Sequence, residues 1–241
     1  MLINPQQLAS YWNVTPKSVL HLGAHLAEEL SAYQELGWGK IYWVEAQKKL
    51  ADALESRLLN TPHEVIHAAI WDIDNLELKL NVTNNSQSTS LLELGTHKSD
   101  YPEITVSRVE VVRTKRVDSL FTKHTVPDFV NLDIQGAEIQ ALKSFGTLLQ
   151  NVKYIYCEVN KKEVYVGCAR INELDLYLSE FGFSRVITKW VPQKGWGDAY
   201  YCNTNLSKVS SNKYLLGKLF GWAYPCEYFL SSLKSRLRKF F

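Results

Sequence analysis

The chain has 241 residues, 46% hydrophobic and 22% charged, the proportions of a folded protein with enough length for one large domain and a sizeable core. Net charge is only +2, and from Leu206 onward seven Lys/Arg accompany a single acid, Glu227. The rest carries 20 basic and 24 acidic residues, so charge gives no sign of a nucleic-acid surface on the main domain. Cys157, Cys168, Cys202 and Cys226 lack any metal-ligand spacing, no basic-then-apolar leader opens the sequence, and no apolar run reaches the roughly 20 residues that span a bilayer. The expectation is a cytoplasmic protein with reduced thiols.

In chain order, Pro5–Asn13 reads as a short helix ahead of the domain proper. Ser18–Leu22 is a buried strand that runs into a glycine turn at Gly23, and Ala27–Leu36 is a helix ended by Gly37. Lys40–Val44 is the second strand, closed by Glu45. Ala46–Leu59 has helical spacing and stops before Pro62, and Glu64–Ala69 gives a third strand. This β-α-β-α-β order is the first half of a doubly wound parallel sheet. Leu76–Leu80 and Val106–Val112 alternate strictly and are expected to pair as an antiparallel insertion around the polar loop Asn81–Ser90. The α/β rhythm resumes with Phe129–Asp133, a helix over Ala137–Phe145, a buried strand Tyr154–Val159 and a helix Ile171–Phe181. Phe183–Ile187 and Ala199–Cys202 close the order as a final strand pair.

The turn carries the first chemical signal. A glycine permits close backbone approach, a helix N-terminus presents free N–H groups, and a carboxylate closing the next strand suits two ribose hydroxyls. Gly23 and Glu45, 22 residues apart, meet that recipe for an adenosine-containing cofactor.

The blocks Gly-Ala-His (Gly23–His25), Val-Glu-Ala (Val44–Ala46), Ala-Ala-Ile-Trp-Asp (Ala68–Asp72), Arg-Val-Asp-Ser-Leu (Arg116–Leu120) and Leu-Asp-Ile-Gln-Gly-Ala-Glu (Leu132–Glu138), with a serine-rich loop ending at Ser90-Leu91, resemble FkbM-type methyltransferases in both order and content. The resemblance runs from about Ser18 to Asn203. It implies a class I methyltransferase (Rossmann-like) α/β fold: a seven-stranded, mostly parallel sheet with helices on both faces and an antiparallel final hairpin. It also implies S-adenosyl-L-methionine as donor and O-methylation, often of sugar hydroxyls or natural products. His21, His25 and Ala27 depart from the commonest pattern. Asn131 stands where lysine is frequent and Gln135 where glutamate is, which leaves no catalytic role expected of those two.

On this reading Gly23, Ala24 and His25 pass beneath the amino-acid part of the cofactor, and His25 either caps the helix or donates to the cofactor carboxylate. Glu45 and Ala46 take the ribose, while Ala69, Ile70 and Trp71 lie at the adenine. Asp133 and Glu158 end adjacent strands, where a hydroxyl acceptor must lose a proton, and are the candidate catalytic carboxylates; Asp133 also orients cofactor. Two carboxylates without a third ligand define no metal site, and none is expected. Ser90 and Trp196 are candidate acceptor contacts. Glu138 serves either the helix N-terminus or the site, and His97 and His124 are loop histidines that a base role would require to face the cavity.

Three segments are expected: 1–17, a helical lead-in; 18–205, the catalytic domain; and 206–241, a tail. From Cys226 on, Phe229, Leu230, Leu233, Leu237 and Phe240 share one helical face while Lys234, Arg236, Arg238 and Lys239 lie off it. This is a basic amphipathic helix suited to peripheral contact with an anionic membrane, or else to docking on its own domain or on a second subunit as a homodimer. The leading expectation is an O-methyltransferase with a small-molecule or glycan acceptor. The rivals are a methyltransferase of a small lipid or polyketide-like metabolite and a non-catalytic adenosine-cofactor-binding module.

Overall fold

A computed structural model describes residues 1–207. The amphipathic helix expected of the tail, with Cys226, lies outside the described residues.

The strands are β1 Ser18–Leu22, β2 Lys40–Glu45, β3 Glu64–His67, β4 Ala69–Ile70, β5 Glu77–Thr83, β6 Val106–Lys115, β7 Phe129–Leu132, β8 Tyr154–Asn160, β9 Phe183–Trp190 and β10 Trp196–Asn203. The helices are α1 Pro5–Trp12, α2 Leu30–Glu35, α3 Lys48–Arg57, α4 His97–Asp100, α5 Val117–Leu120, α6 Glu138–Lys143 and α7 Ile171–Glu180. Seven strands form one sheet in the order β3-β2-β1-β7-β8-β10-β9. The first five are parallel, and β10 runs antiparallel to both β8 and β9. This is the doubly wound class I methyltransferase sheet with its antiparallel last hairpin. Its order reverses between β1 and β7, and ligands of such sheets sit outside the carboxyl ends of the strands at that point.

Alternation decides which face each strand residue serves. Leu20, Leu22, Val130, Leu132, Ile155 and Cys157 pack under α5, α6 and α7. Val19, Ile41, Trp43, Phe129, Tyr154 and Tyr200 pack under α1, α2 and α3. Both faces are apolar because both are covered, the usual condition of a parallel sheet. The N-terminal helix belongs to this packing: Asn4 caps it in a reciprocal box with Gln7, Pro5 occupies its first turn, and Leu8 and Trp12 are buried in the second cluster.

Three elements differ from the sequence expectation. The helix expected from Ala27 begins at Leu30, because His25 and Ala27 hold left-handed backbone (φ 46 and 54) that no α-helix accommodates. The third strand is two strands: after His67 the Ala68 N–H bonds the Glu45 carbonyl at 3.0 Å, and Ala69–Ile70 then pairs with Thr114–Lys115 in a second, three-stranded sheet ordered β4-β6-β5. The helix after β7 spans only Glu138–Lys143 before a 3₁₀ stretch, Gly146–Asn151. The expected pairing of the two alternating segments is present as β5 against β6.

Gly23 locks the centre of the sheet. Its φ is +84, and a Cβ built there would lie 1.8 Å from the Asp133 carbonyl oxygen, backbone that has no room to yield. The Asp133 N–H in turn bonds the Leu22 carbonyl at 3.0 Å. Gly23→Ala is therefore expected to cost more than about 2 kcal/mol of unfolding free energy, from steric overlap added to left-handed strain. Urea denaturation measures it, and a loss under about 0.5 kcal/mol would contradict the close approach.

Candidate active site

Above the carboxyl ends of β1, β2, β7 and β8 lies a cavity of about 490 Å³, within the range of small-molecule sites. The turn after β1 forms its floor. Gly23 and Ala24 both donate their N–H to the Val44 carbonyl at 3.0 Å, which ties the turn to β2 and leaves neither amide free. Glu45 closes β2, 6% exposed; its Oε2 accepts the His25 N–H at 2.9 Å and its Oε1 the Gln47 N–H at 2.8 Å. Burial raises its pKa against the pull of those bonds. Each oxygen keeps further acceptor capacity, and the side chain lines the cavity.

His25 also lines the cavity, but both ring nitrogens are occupied: Nδ1 with Glu28 Oε1 at 2.6 Å and Nε2 with Ser86 Oγ at 2.7 Å. Its ring therefore pins the loop containing the Ser86–Ser88 3₁₀ turn over the site rather than reaching into it. Ser90 pins the far end of that loop, its Oγ donating to the Gln135 carbonyl at 2.6 Å and accepting the Leu92 N–H at 2.9 Å. Ala46, Ala69 and Ile70 are on the cavity wall. Ala24 and Trp71 are not: Ala24 is buried in the core, and Trp71 follows the crossing of β4 to the second sheet, its N–H on the Lys115 carbonyl at 3.1 Å.

At the other end the carboxylates converge. Asp133, exposed to the cavity, and Glu158, 6% exposed, share one amide: Gln135 Nε2 donates to Asp133 Oδ1 at 2.7 Å and to Glu158 Oε2 at 3.0 Å, while Tyr165 donates its hydroxyl to Gln135 Oε1. Gln135, for which the sequence suggested no role, is the bridge that holds the two candidate carboxylates together. Burial and then the neighbouring Asp133 push Glu158 well above the ordinary carboxylate range.

Asp198 joins them, unforeseen in the sequence because strand register brings it there: it lies directly opposite Glu158 across β8 and β10. Tyr156 donates its hydroxyl to Asp198 Oδ2, and the Leu2 N–H bonds the same oxygen at 2.6 Å. Trp196, two residues earlier on the same face, lines the cavity and donates Nε1 to the Tyr101 hydroxyl at 3.2 Å. His97 is on the same wall, its ring tilted against those of Tyr101 and Tyr165, with its pKa lowered by burial and its Nδ1 buried without a partner among the described residues. His124 is exposed in the turn Thr122–Thr125, off the cavity. Glu138 is also off the cavity wall: it is buried and accepts the Gly136 N–H at 3.0 Å.

The Methyltransferase FkbM domain model matches residues 21–185, and the chain belongs to that family. It is an S-adenosylmethionine-dependent methyltransferase. No curated protein matches the chain. Solved structures similar to it include Streptococcus pneumoniae Sp1610 in complex with S-adenosyl-L-methionine, at 14% identity, 97% of this chain and 86% of that one, TM-score 0.48. Magnesium protoporphyrin IX methyltransferase from Synechocystis PCC 6803 with bound SAM matches at 11% identity, 77% and 69% coverage and TM-score 0.41. A third is 1,6-didemethyltoxoflavin-N1-methyltransferase of Burkholderia thailandensis, at 11% identity, 82% and 75% coverage and TM-score 0.43. The cavity fits the cofactor on its own geometry: a braced carboxylate closes β2, next to the β1–β7 point where strand order reverses, and Ala69 and Ile70 offer an apolar wall.

Burial pushes the Glu138 carboxyl up to about 7, so the folded chain holds that proton to higher pH than the unfolded chain does. The stability it contributes is present in acid and is lost as pH rises towards and through 7. Glu138→Gln keeps an acceptor for the Gly136 N–H without the charge. It should match wild type to within about 1 kcal/mol near pH 5 and exceed it by up to about 3 kcal/mol at pH 8. Denaturant melts across that range check it, and a pH-independent difference would contradict the assignment.

Proposed function

We propose that the protein transfers the methyl group of S-adenosylmethionine to a hydroxyl of a saccharide or glycoconjugate. The observation that carries this reading is the meeting, in one cavity, of the braced Glu45 at the end of β2 with Asp133 and Glu158 at the ends of β7 and β8. Bound S-adenosylmethionine supplies a methyl group on a positively charged sulfur that becomes neutral as the methyl leaves.

Glu45 holds the ribose hydroxyls with its remaining lone pairs, beside the Gly23 turn and Ala46. Ala69 and Ile70 flank the adenine. His25 and Ser90 act by fixing the loop 85–90 as a roof. At the reacting end a hydroxyl must lose its proton as its oxygen bonds the methyl carbon. Asp133 is the base: it is open to the cavity, and its orientation is set by Gln135. Glu158 meets the acceptor with its Oε1, which takes no hydrogen bond among the described residues, while Gln135 holds its Oε2. Tyr101, Tyr165 and Trp196 give the rings and hydroxyls that a sugar face requires.

Calorimetric titration with S-adenosylhomocysteine tests the cofactor half. Wild type should bind, and Glu45→Ala should weaken binding at least about 10-fold, the scale of a lost hydrogen bond to a charged group. Unchanged affinity in Glu45→Ala would remove the ribose assignment, and no binding by wild type would remove the reading. With an acceptor in hand, Asp133→Asn should lower kcat by about 10²-fold or more while leaving cofactor affinity within about 3-fold.

A further inference from the structure

Among the described residues the cavity wall carries six carboxylates, from Glu28, Glu29, Glu45, Asp133, Glu158 and Asp198, and no lysine or arginine. The Met1 ammonium also reaches the wall, but it faces Glu29 at 3.6 Å. His21, buried and hydrogen-bonded to Asn131, is held neutral, its pKa lowered to about 4 by burial. The carboxylates divide by place. Glu28, Glu29 and Glu45 stand by the β1 and β2 ends, where the cofactor reading puts the nucleoside and amino acid. Asp133, Glu158 and Asp198 stand by β7, β8 and β10, the acceptor side.

The acceptor side is an expensive arrangement. Glu158 and Asp198 are directly opposed across an antiparallel pair, where like charges destabilise, and both are only 6% exposed. Register also places Lys189 beside Asp198, yet its Nζ donates to the Leu2 carbonyl at 2.8 Å and leaves the carboxylate without an ion pair. Glu158 Oε1 and Asp198 Oδ1 take no hydrogen bond among the described residues, although both side chains line the cavity and are more than nine-tenths buried. No cluster of His, Cys, Asp and Glu among the described residues is arranged to hold a metal ion. The two open oxygens can accept from a donor on a ligand that enters the cavity.

The geometry points to an acceptor that carries a protonated amine, an amino sugar with a free ammonium group, seated between Glu158 and Asp198, and to exclusion of phosphorylated or uronic acid acceptors. This rests on the methyltransferase reading and narrows it. An ammonium brings three donors to the two open oxygens and neutralises the opposed charges. An anionic acceptor would face three carboxylates, with no lysine or arginine on the wall to receive it. In the free site burial pushes Asp198 up to about 6, against the pull of the N-terminal ammonium, and pushes Glu158 well above the ordinary carboxylate range. Trp196, two residues before Asp198 on the same strand face, lines the cavity and supplies a ring face for the sugar body.

The test is saturation-transfer NMR on the full chain at pH 7, saturated with S-adenosylhomocysteine, with glucosamine, glucose and glucuronate as probes at equal concentration. Glucosamine is expected to bind at least about 5-fold more tightly than glucose, with no detectable signal from glucuronate. Asp198→Asn should reduce that preference at least about 3-fold, with its fold checked by circular dichroism. Equal or better binding of glucose or glucuronate overturns the proposal, and so does the absence of a glucosamine signal on the cofactor-loaded protein. Failure of S-adenosylhomocysteine itself to bind is a separate result, seen before any sugar is added, and strikes the methyltransferase reading.

Discussion

The centre of the molecule depends on one close approach. The turn after β1 and the chain leaving β7 touch at Gly23 and Asp133, with no space for even a methyl group between them. That contact fixes where Asp133 emerges, and the Gln135 amide ties its side chain to Glu158. The same turn is bound sideways to Val44, so the ends of β1, β2 and β7 form one rigid floor. The glycine expected to make room for a ligand also makes room for backbone. Ligand access is a consequence of the floor that this packing builds.

The floor supports two unlike ends. At β2 a single carboxylate has both oxygens satisfied by backbone N–H groups from two different segments, so it is oriented before any ligand arrives. At β8 and β10, carboxylates are brought together by register and burial, and a side-chain amide, one tyrosine and the Leu2 N–H satisfy only part of their acceptor capacity. The first end is pre-organised. The second is under electrostatic strain, and its unfilled capacity is where the chemistry of an acceptor is written.

Much of the sheet was legible in the chain because its signals are local. Ser18–Leu22 and Lys40–Glu45 read as strands from continuous apolar runs, and β5 and β6 from strict alternation. The helix start at Leu30 was not legible, since nothing in composition announces that His25 and Ala27 adopt left-handed backbone. Nor was the crossing at Ala68, where one apolar run serves two sheets and carries Trp71 away from the cavity. Glu45, Asp133 and Glu158 could be named because each lies within two residues of the carboxyl end of a strand. Asp198 could not, because it reaches the site only through pairing with a strand some forty residues earlier. Gln135 was visible but had no assignable role until Asp133 and Glu158 stood on either side of it.

The account turns on one claim, that the floor from Gly23 to Glu45 and the loop above it receive a nucleoside cofactor. Hydrogen–deuterium exchange by mass spectrometry, with and without S-adenosylhomocysteine, tests it most directly. The account predicts slowed exchange in peptides holding the His25 and Gln47 amides that brace Glu45, together with the loop 85–90 that His25 and Ser90 pin down. Protection absent from those peptides, or confined to β9 and the distal face of β6, would contradict it.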